Sequence, residues 1–304
     1  MEDQAQQLRK LIKNAATANR PLARVITVTS GKGGVGKSNV AINLAIQLKK
    51  MGQRVIILDA DFGLANIEIM FGTVPKHNLC DLIYQGKNIK DIITWGPMDV
   101  GFISGGSGIS DMYNLSKDYL LSIILNLAEL DAMADTIIVD TSAGISSAVL
   151  EFLVASSEVI LVTTPEPTSI TDSYSLLKAL VQHPRFSLEE TSIKGISNRV
   201  QSVPEGQQLF NKVNAVVQRY LKIPMEYLGA IPFDTQLQLS VMQQMPVSIL
   251  YPNAKSVRAF EQVTAQLTGI GGEETAKRRG MTAFFSYIIQ GRKLMEKSSG
   301  KKEE

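Results

Sequence analysis

The chain has 304 residues, 44% of them apolar and 20% charged, a composition that fits a folded globular protein and excludes a disordered or fibrous one. Its 31 Lys and Arg against 29 Asp and Glu leave a net charge of +2, too small for broad nucleic-acid binding, so any basic function is local. The single cysteine, Cys80, excludes an internal disulfide, reads as a small apolar residue and favours a reducing compartment.

Residues 1–24 show no long apolar core of a secretory signal, and no run of about 18 apolar residues would cross a bilayer, so the expected location is the cytoplasm or the inner face of the cell membrane. Within this segment Ala5, Leu8, Leu11, Ile12 and Ala15 share one side at helical spacing, with Arg9, Lys10 and Lys13 outside the stripe. Such a helix either docks on its own domain or enters a partner's groove. Asn19 to Pro21 marks its boundary.

The β-branched run Val25–Ser30 reads as a buried parallel strand and is followed by GKGGVGKS, Gly31 to Ser38. Val40, Ala41, Leu44, Ala45 and Leu48 then repeat at helical spacing. Strand, glycine turn and helix N-terminus together surround an anion with backbone N–H groups. Gly31, Gly36, Lys37 and Ser38 match G-x-x-x-x-G-K-[ST], with Gly33, Gly34, Val35 and Asn39 filling the cradle. Lys37 is expected to reach the β- and γ-phosphates of a nucleotide and the Ser38 hydroxyl to hold Mg²⁺.

A second strand, Arg54–Leu58, ends in Asp59-Ala-Asp61. Carboxylates at the C-terminal end of a parallel strand lie beside the phosphate loop. The expectation is that Asp59 supports the Mg²⁺ shell and Asp61 orients the attacking water, the alternative for each being a cap on the next helix. Residues 72–97 suggest short helices punctuated by Trp95-Gly-Pro97, Asp99–Ile103 a strand, and Gly105–Gly108 either a lid or a surface turn. A helix through Leu120, Ile124 and Leu127 leads to the strand Thr136–Val139. Asp140 ends that strand and Gly144 follows four residues later, which predicts an Mg²⁺ contact through water at Asp140 and a γ-phosphate switch at Gly144.

Glu158–Val162, Lys194–Asn198 and Met225–Ile231 are further strands, separated by helices over Ser169–Val181 and Gly206–Tyr220. Asn198 is placed either to read adenine or to satisfy local backbone, Arg199 beside it is a solvated residue or a ligand over the base, and Pro232-Phe-Asp234 closes the last strand. His77 and His183 match no metal pattern. A helix through Val257, Phe260 and Leu267 ends near Gly269. The alternation predicts one three-layer α/β domain with a mostly parallel sheet over residues 25–270, between an amino-terminal segment 1–24 and a tail 271–304.

In the tail, Lys277-Arg-Arg279 precedes Met281, Phe284, Phe285, Ile288 and Ile289, then Arg292 and Lys293. An apolar stripe with basic flanks is the pattern of an interfacial helix on anionic lipid, and membrane contact through Phe284, Phe285, Ile288 and Ile289 is the leading expectation. Packing on the parent domain or on a partner protein gives the same stripe.

The loop resembles the deviant Walker A box of MinD/ParA-class ATPases, P-loop NTPases of the SIMIBI type, whose additional early lysine is Lys32 here. The resemblance implies that Lys32 contacts nucleotide across an ATP-dependent homodimer and acts with Lys37 and Asp61 in hydrolysis, with ATP/ADP and Mg²⁺ bound. It makes Asp59–Asn66 switch I, Asp140–Gly144 switch II, Asn198-Arg199 and Pro232 the base side, and the tail a membrane-targeting sequence. Ser142 stands where many members have proline, and Phe233 where an acidic residue is common.

Asp3-Gln-Ala-Gln-Gln-Leu-Arg9 resembles the activator motif of the FlhG family, also called FleN or YlxH, which regulates flagellar number and placement. That implies stimulation of the GTPase of FlhF, an SRP-type protein, with Asp3 and Gln4 ordering the partner's site and Leu8 and Arg9 anchoring the helix. C-ring proteins or a flagellar transcription regulator are further partners of that family. The alternatives are a MinD-like division-site regulator, which leaves the Gln4 motif unexplained, and an ATP-binding scaffold without hydrolysis. A ParA-like partition protein fits less well, because the strongest basic cluster flanks aromatics in the tail.

Overall fold

The computed structural model describes residues 22–61, 66–105, 126–269 and 280–288. The expected amino-terminal helix with Asp3, Gln4, Leu8 and Arg9, residues 62–65, the expected helix through Leu120 and Ile124, and Ile289 lie outside them. The frame is an eight-stranded sheet of β1 (Arg24–Thr29), β2 (Val55–Ala60), β3 (Thr94–Trp95), β4 (Gly101–Ser104), β5 (Thr136–Thr141), β6 (Glu158–Thr163), β7 (Ser192–Val200) and β8 (Glu226–Pro232). Their spatial order is β3-β4-β2-β5-β1-β6-β7-β8, parallel throughout except between β3 and β4.

The central strands are buried on both faces, which is why they read as unbroken Val/Ile/Leu runs. Alternate side chains feed two cores. Ile26, Val28 and Ile57 pack with the helices Lys37–Lys50 and Lys255–Gly269, while Val25, Ile56, Leu58 and Val139 face the opposite layer. The second layer continues over β6 and β7 through the helices Ser147–Ala155, Pro167–Val181 and Val203–Leu221. Three layers result, as the alternation of elements requires.

Register places the chemistry. Asp59 of β2 is directly opposite Asp140 of β5, and Asp140 is opposite Val28 of β1, so both carboxylates stand at the sheet edge where the glycine loop leaves β1. At the far edge the structure differs from the sequence reading. Thr94 and Trp95 pair antiparallel with Phe102 and Gly101, and β4 starts at Gly101 because Met98 and Asp99 form the connecting turn at φ 58° and 53°.

The tail helix takes the packing on the parent domain that its stripe also allows. In this conformation Phe284, Phe285 and Ile288 are core residues rather than surface ones: the helix 280–288 buries them with Met281 against Leu130, Phe152 and Ala155. Phe284 stacks on Phe152 with ring centroids 5.9 Å apart. A stripe reports only that one face is apolar, and a groove on the parent domain satisfies it as a membrane would. Asp131 anchors the helix start, accepting from the Met281 N–H at 2.8 Å and from the Thr282 N–H and hydroxyl at 3.5 and 3.4 Å. Near its end the Tyr287 hydroxyl donates to the Arg185 carbonyl at 2.6 Å, and the Arg185 guanidinium lies 4.7 Å over the Tyr287 ring while pairing with Glu151. No helix among the described residues is long and apolar enough to cross a membrane.

Candidate nucleotide site

The glycine loop follows β1, and Gly36, at φ 94°, turns the chain into the helix Lys37–Lys50 without a side-chain cap. The helix N–H groups are therefore left for an anion. Gly34 at φ 74° and the exposed Gly33 keep the loop crest open. Gly31 is tied to packing: a Cβ there would lie 2.1 Å from the carbonyl carbon of Asp172, so the loop base sits directly on the helix Pro167–Val181. Ser38 and Asn39 lie at the half-exposed first turn.

Lys37 is buried beside Asp140, whose exposure is 0%. Neither carboxylate oxygen of Asp140 meets hydrogen-bond geometry with a protein donor. Burial raises its pKa to about 6, opposed by the nearby Ser38 hydroxyl and Lys37 ammonium. A buried carboxylate without donors is costly unless something else satisfies it. Among the described residues no group of three or more His, Cys, Asp or Glu is placed to hold a metal ion. The Ser38 hydroxyl and the orphaned Asp140 carboxylate instead fit a hard cation that keeps water and phosphate oxygens as most of its shell, as Mg²⁺ does.

Asp59 is pushed up to about 7, first by burial and then by the Asp140 charge. Its oxygens accept from the N–H groups of Asp61 at 3.1 Å and Ile67 at 3.2 Å, so in this state it shapes the turn and anchors the helix Asn66–Phe71. Asp61 is half-exposed at the mouth and accepts from the Asn66 amide at 3.3 Å. The Gly144 N–H, expected to face a γ-phosphate, donates to the Ser30 carbonyl at 3.0 Å.

Lys32 is held within its own chain, donating to Glu166 at 2.5 Å and to the Thr168 hydroxyl at 2.8 Å. Lys32 draws the exposed Glu166 carboxyl below its ordinary pKa. Glu166 and Thr168 were not singled out by the sequence; the only signal was their place just after a strand that borders β1. Asn198 at the end of β7 donates its amide to the Val35 carbonyl at 2.7 Å, which brings it onto the phosphate loop. Arg199 beside it is exposed at φ 58°, and Pro232 pairs with Val200 at the end of β8.

A glycine loop between a buried parallel strand and a helix N-terminus, with a buried lysine and an orphaned carboxylate at its mouth, defines a P-loop NTPase. Residues 21–268 match the ParA family model, described as NUBPL iron-transfer P-loop NTPase, and the chain belongs to the ParA/MinD family of P-loop NTPases. It is 38% identical over 244 residues to the antiactivator FleN of Pseudomonas aeruginosa, covering 80% of this chain and 86% of that protein. It is 31% identical over 298 residues to the flagellum site-determining protein YlxH of Helicobacter pylori, covering 95% and 99%. Both place it near the FlhG/FleN branch. The fold is that of MinD from Pyrococcus horikoshii, solved with Mg-ADP, at a TM-score of 0.63 and 22% identity over 83% of this chain and 98% of that one.

Proposed function

We propose that this protein is an ATP-hydrolysing switch that dimerises with ATP bound, associates with the membrane, and regulates the number or placement of flagella. The observation that carries the reading is Asp140: a fully buried carboxylate with no protein hydrogen bond of good geometry, its charge favoured by the Ser38 hydroxyl and Lys37 ammonium at the mouth of a phosphate loop. The relation to FleN and YlxH supports the flagellar setting.

The loop N–H groups of Gly33 to Ser38 bind the ATP phosphates, Lys37 neutralises charge on the β- and γ-oxygens, and Ser38 with Asp140 holds Mg²⁺. When bound, that ion screens phosphate charge. Asp61 orients water for attack on the γ-phosphorus, its position at the mouth leaving one face toward the phosphate. Lys32 leaves Glu166 and Thr168 for the nucleotide of a second subunit, where its charge is added as negative charge builds on the transferred group. Asn198, Arg199 and Pro232 border the base, and Gly144 exchanges the Ser30 carbonyl for a γ-phosphate oxygen. Dimerisation brings two tails together and raises membrane avidity.

Phosphate release by the wild type and Asp61→Ala tests the enzyme. Hydrolysis above background that falls in the variant is expected, and equal background rates overturn it. FlhF GTPase activity with the full chain and with Gln4→Ala tests the flagellar role. Stimulation lost in the variant is expected; no stimulation by either moves the function to a MinD-like division-site regulator.

A further inference from the structure

Asn198 makes contacts on both sides of its amide that involve no base. Its Nδ2 donates to the Val35 carbonyl across 163 residues of sequence at 2.7 Å. Its Oδ1 accepts the N–H of the next residue, Arg199, at 2.9 Å, a short-range bond that Arg199 makes possible by taking φ 58°. The amide is therefore fixed at both ends, with Asn198 only 6% exposed. On the loop side, a Cβ at Gly36 would lie 2.5 Å from the same Nδ2, so a glycine at φ 94° is what lets the amide come so close. A residue at the tip of β7 is thus fastened to the backbone of the phosphate loop just before Lys37.

We infer that Asn198 is the positioning residue of the phosphate loop, holding the Val35-Gly36 peptide so that the N–H groups leading into Lys37 converge on the polyphosphate. Three features point the same way: a direct bond to loop backbone, an amide orientation locked by its own chain, and a close approach that only glycine permits. Without the amide, the Val35 carbonyl is a buried acceptor left unmet, and the peptide rotates to find another partner.

The inference rests on the ATP-binding reading of the site, but one of its two readouts needs no ligand. In the nucleotide-free full chain, amide hydrogen exchange over 31–38 is compared for the wild type, Asn198→Ala and the near-isosteric Asn198→Leu, with the helix Val203–Leu221 as an internal reference. Both variants are expected to accelerate exchange in the loop by about tenfold while leaving the helix unchanged. Affinities for Mg-ATP and Mg-tripolyphosphate, which has no base, are then expected to fall by similar factors. Unchanged loop exchange overturns the inference. So does a loss confined to ATP with tripolyphosphate binding intact, which assigns Asn198 to the base alone. If the wild type binds no ATP, the function proposed above fails, and loop exchange still decides the role of Asn198.

Discussion

Lys32 and Glu166 are 134 residues apart in the chain and 2.5 Å apart in the structure, with Thr168 closing the other side of the ammonium. Lys32 is about one-third exposed and Glu166 about half. A pair so open to water is weak, and a weak contact is easily exchanged for a stronger one. On the proposed dimer mechanism, Lys32 leaves these partners before it reaches a phosphate in another subunit. Glu166→Gln is therefore expected to tighten ATP-dependent dimerisation by up to about fivefold in analytical ultracentrifugation, with melting temperature unchanged. Lys32→Ala is expected to abolish the dimer while the monomer still binds ATP. An unchanged or weaker dimer in Glu166→Gln shows that the contact does not compete.

The paired carboxylates give a pH dependence whose sign follows from their direction. Asp59 at about 7 and Asp140 at about 6 both stand above the ordinary 3.8, so the folded, nucleotide-free protein keeps protons that the unfolded chain has released. Stability therefore falls as pH rises from about 4 to about 7 and levels off above that. Because the two carboxylates repel each other, the slope belongs to the pair. Asp59→Asn removes one charge and is expected to flatten the slope and raise the melting temperature at pH 8. Parallel melting-against-pH curves for the two proteins contradict this.

Much of this architecture was readable because local pattern and global role agree. The loop Gly31–Ser38 and the buried runs ending at Asp59 and Asp140 follow from short-range residue chemistry. What was not readable depends on distant pairing. The two-residue strand Thr94–Trp95 exists only because β4 offers it an antiparallel edge. Glu166 gives no hint that Lys32 will reach it, and the amide of Asn198 could have met a base or a backbone. The stripe of the 280–288 helix fits lipid and protein alike, so its burial was set by the groove and not by the stripe.

That burial changes what truncation does. Removing Met281–Glu304 takes Phe284, which is fully buried, out of the second core layer and uncovers Phe152 and Leu130. The truncated chain is expected to lose liposome binding and also to melt lower and aggregate more readily. Phe284→Ala alone is expected to cost about 3–5 kcal/mol in denaturant titration if the helix is docked in solution. A cost below about 1 kcal/mol indicates a helix that spends its time elsewhere.

The contacts around Arg185 connect this groove to the nucleotide side. The helix Ser147–Ala155 begins just beyond Gly144 and carries both Glu151, which pairs with Arg185, and Phe152, which stacks on Phe284. The residues that hold the tail helix therefore lie within one short helix of the Asp140–Gly144 loop. Breaking the buried Glu151–Arg185 pair would leave an uncompensated charge and confuse docking with unfolding. Tyr287→Phe is the cleaner change, since it removes the 2.6 Å bond to the Arg185 carbonyl and keeps both the ring under the guanidinium and the bond from that guanidinium to the Tyr287 carbonyl. The loss of about 1 kcal/mol should shift the docking equilibrium roughly fivefold toward release. More of the ADP-loaded variant is then expected to sediment with anionic liposomes, and proteases should cut the tail faster. Equal sedimentation and equal cleavage in the ADP state would show that the Tyr287 hydroxyl bond does not hold the helix.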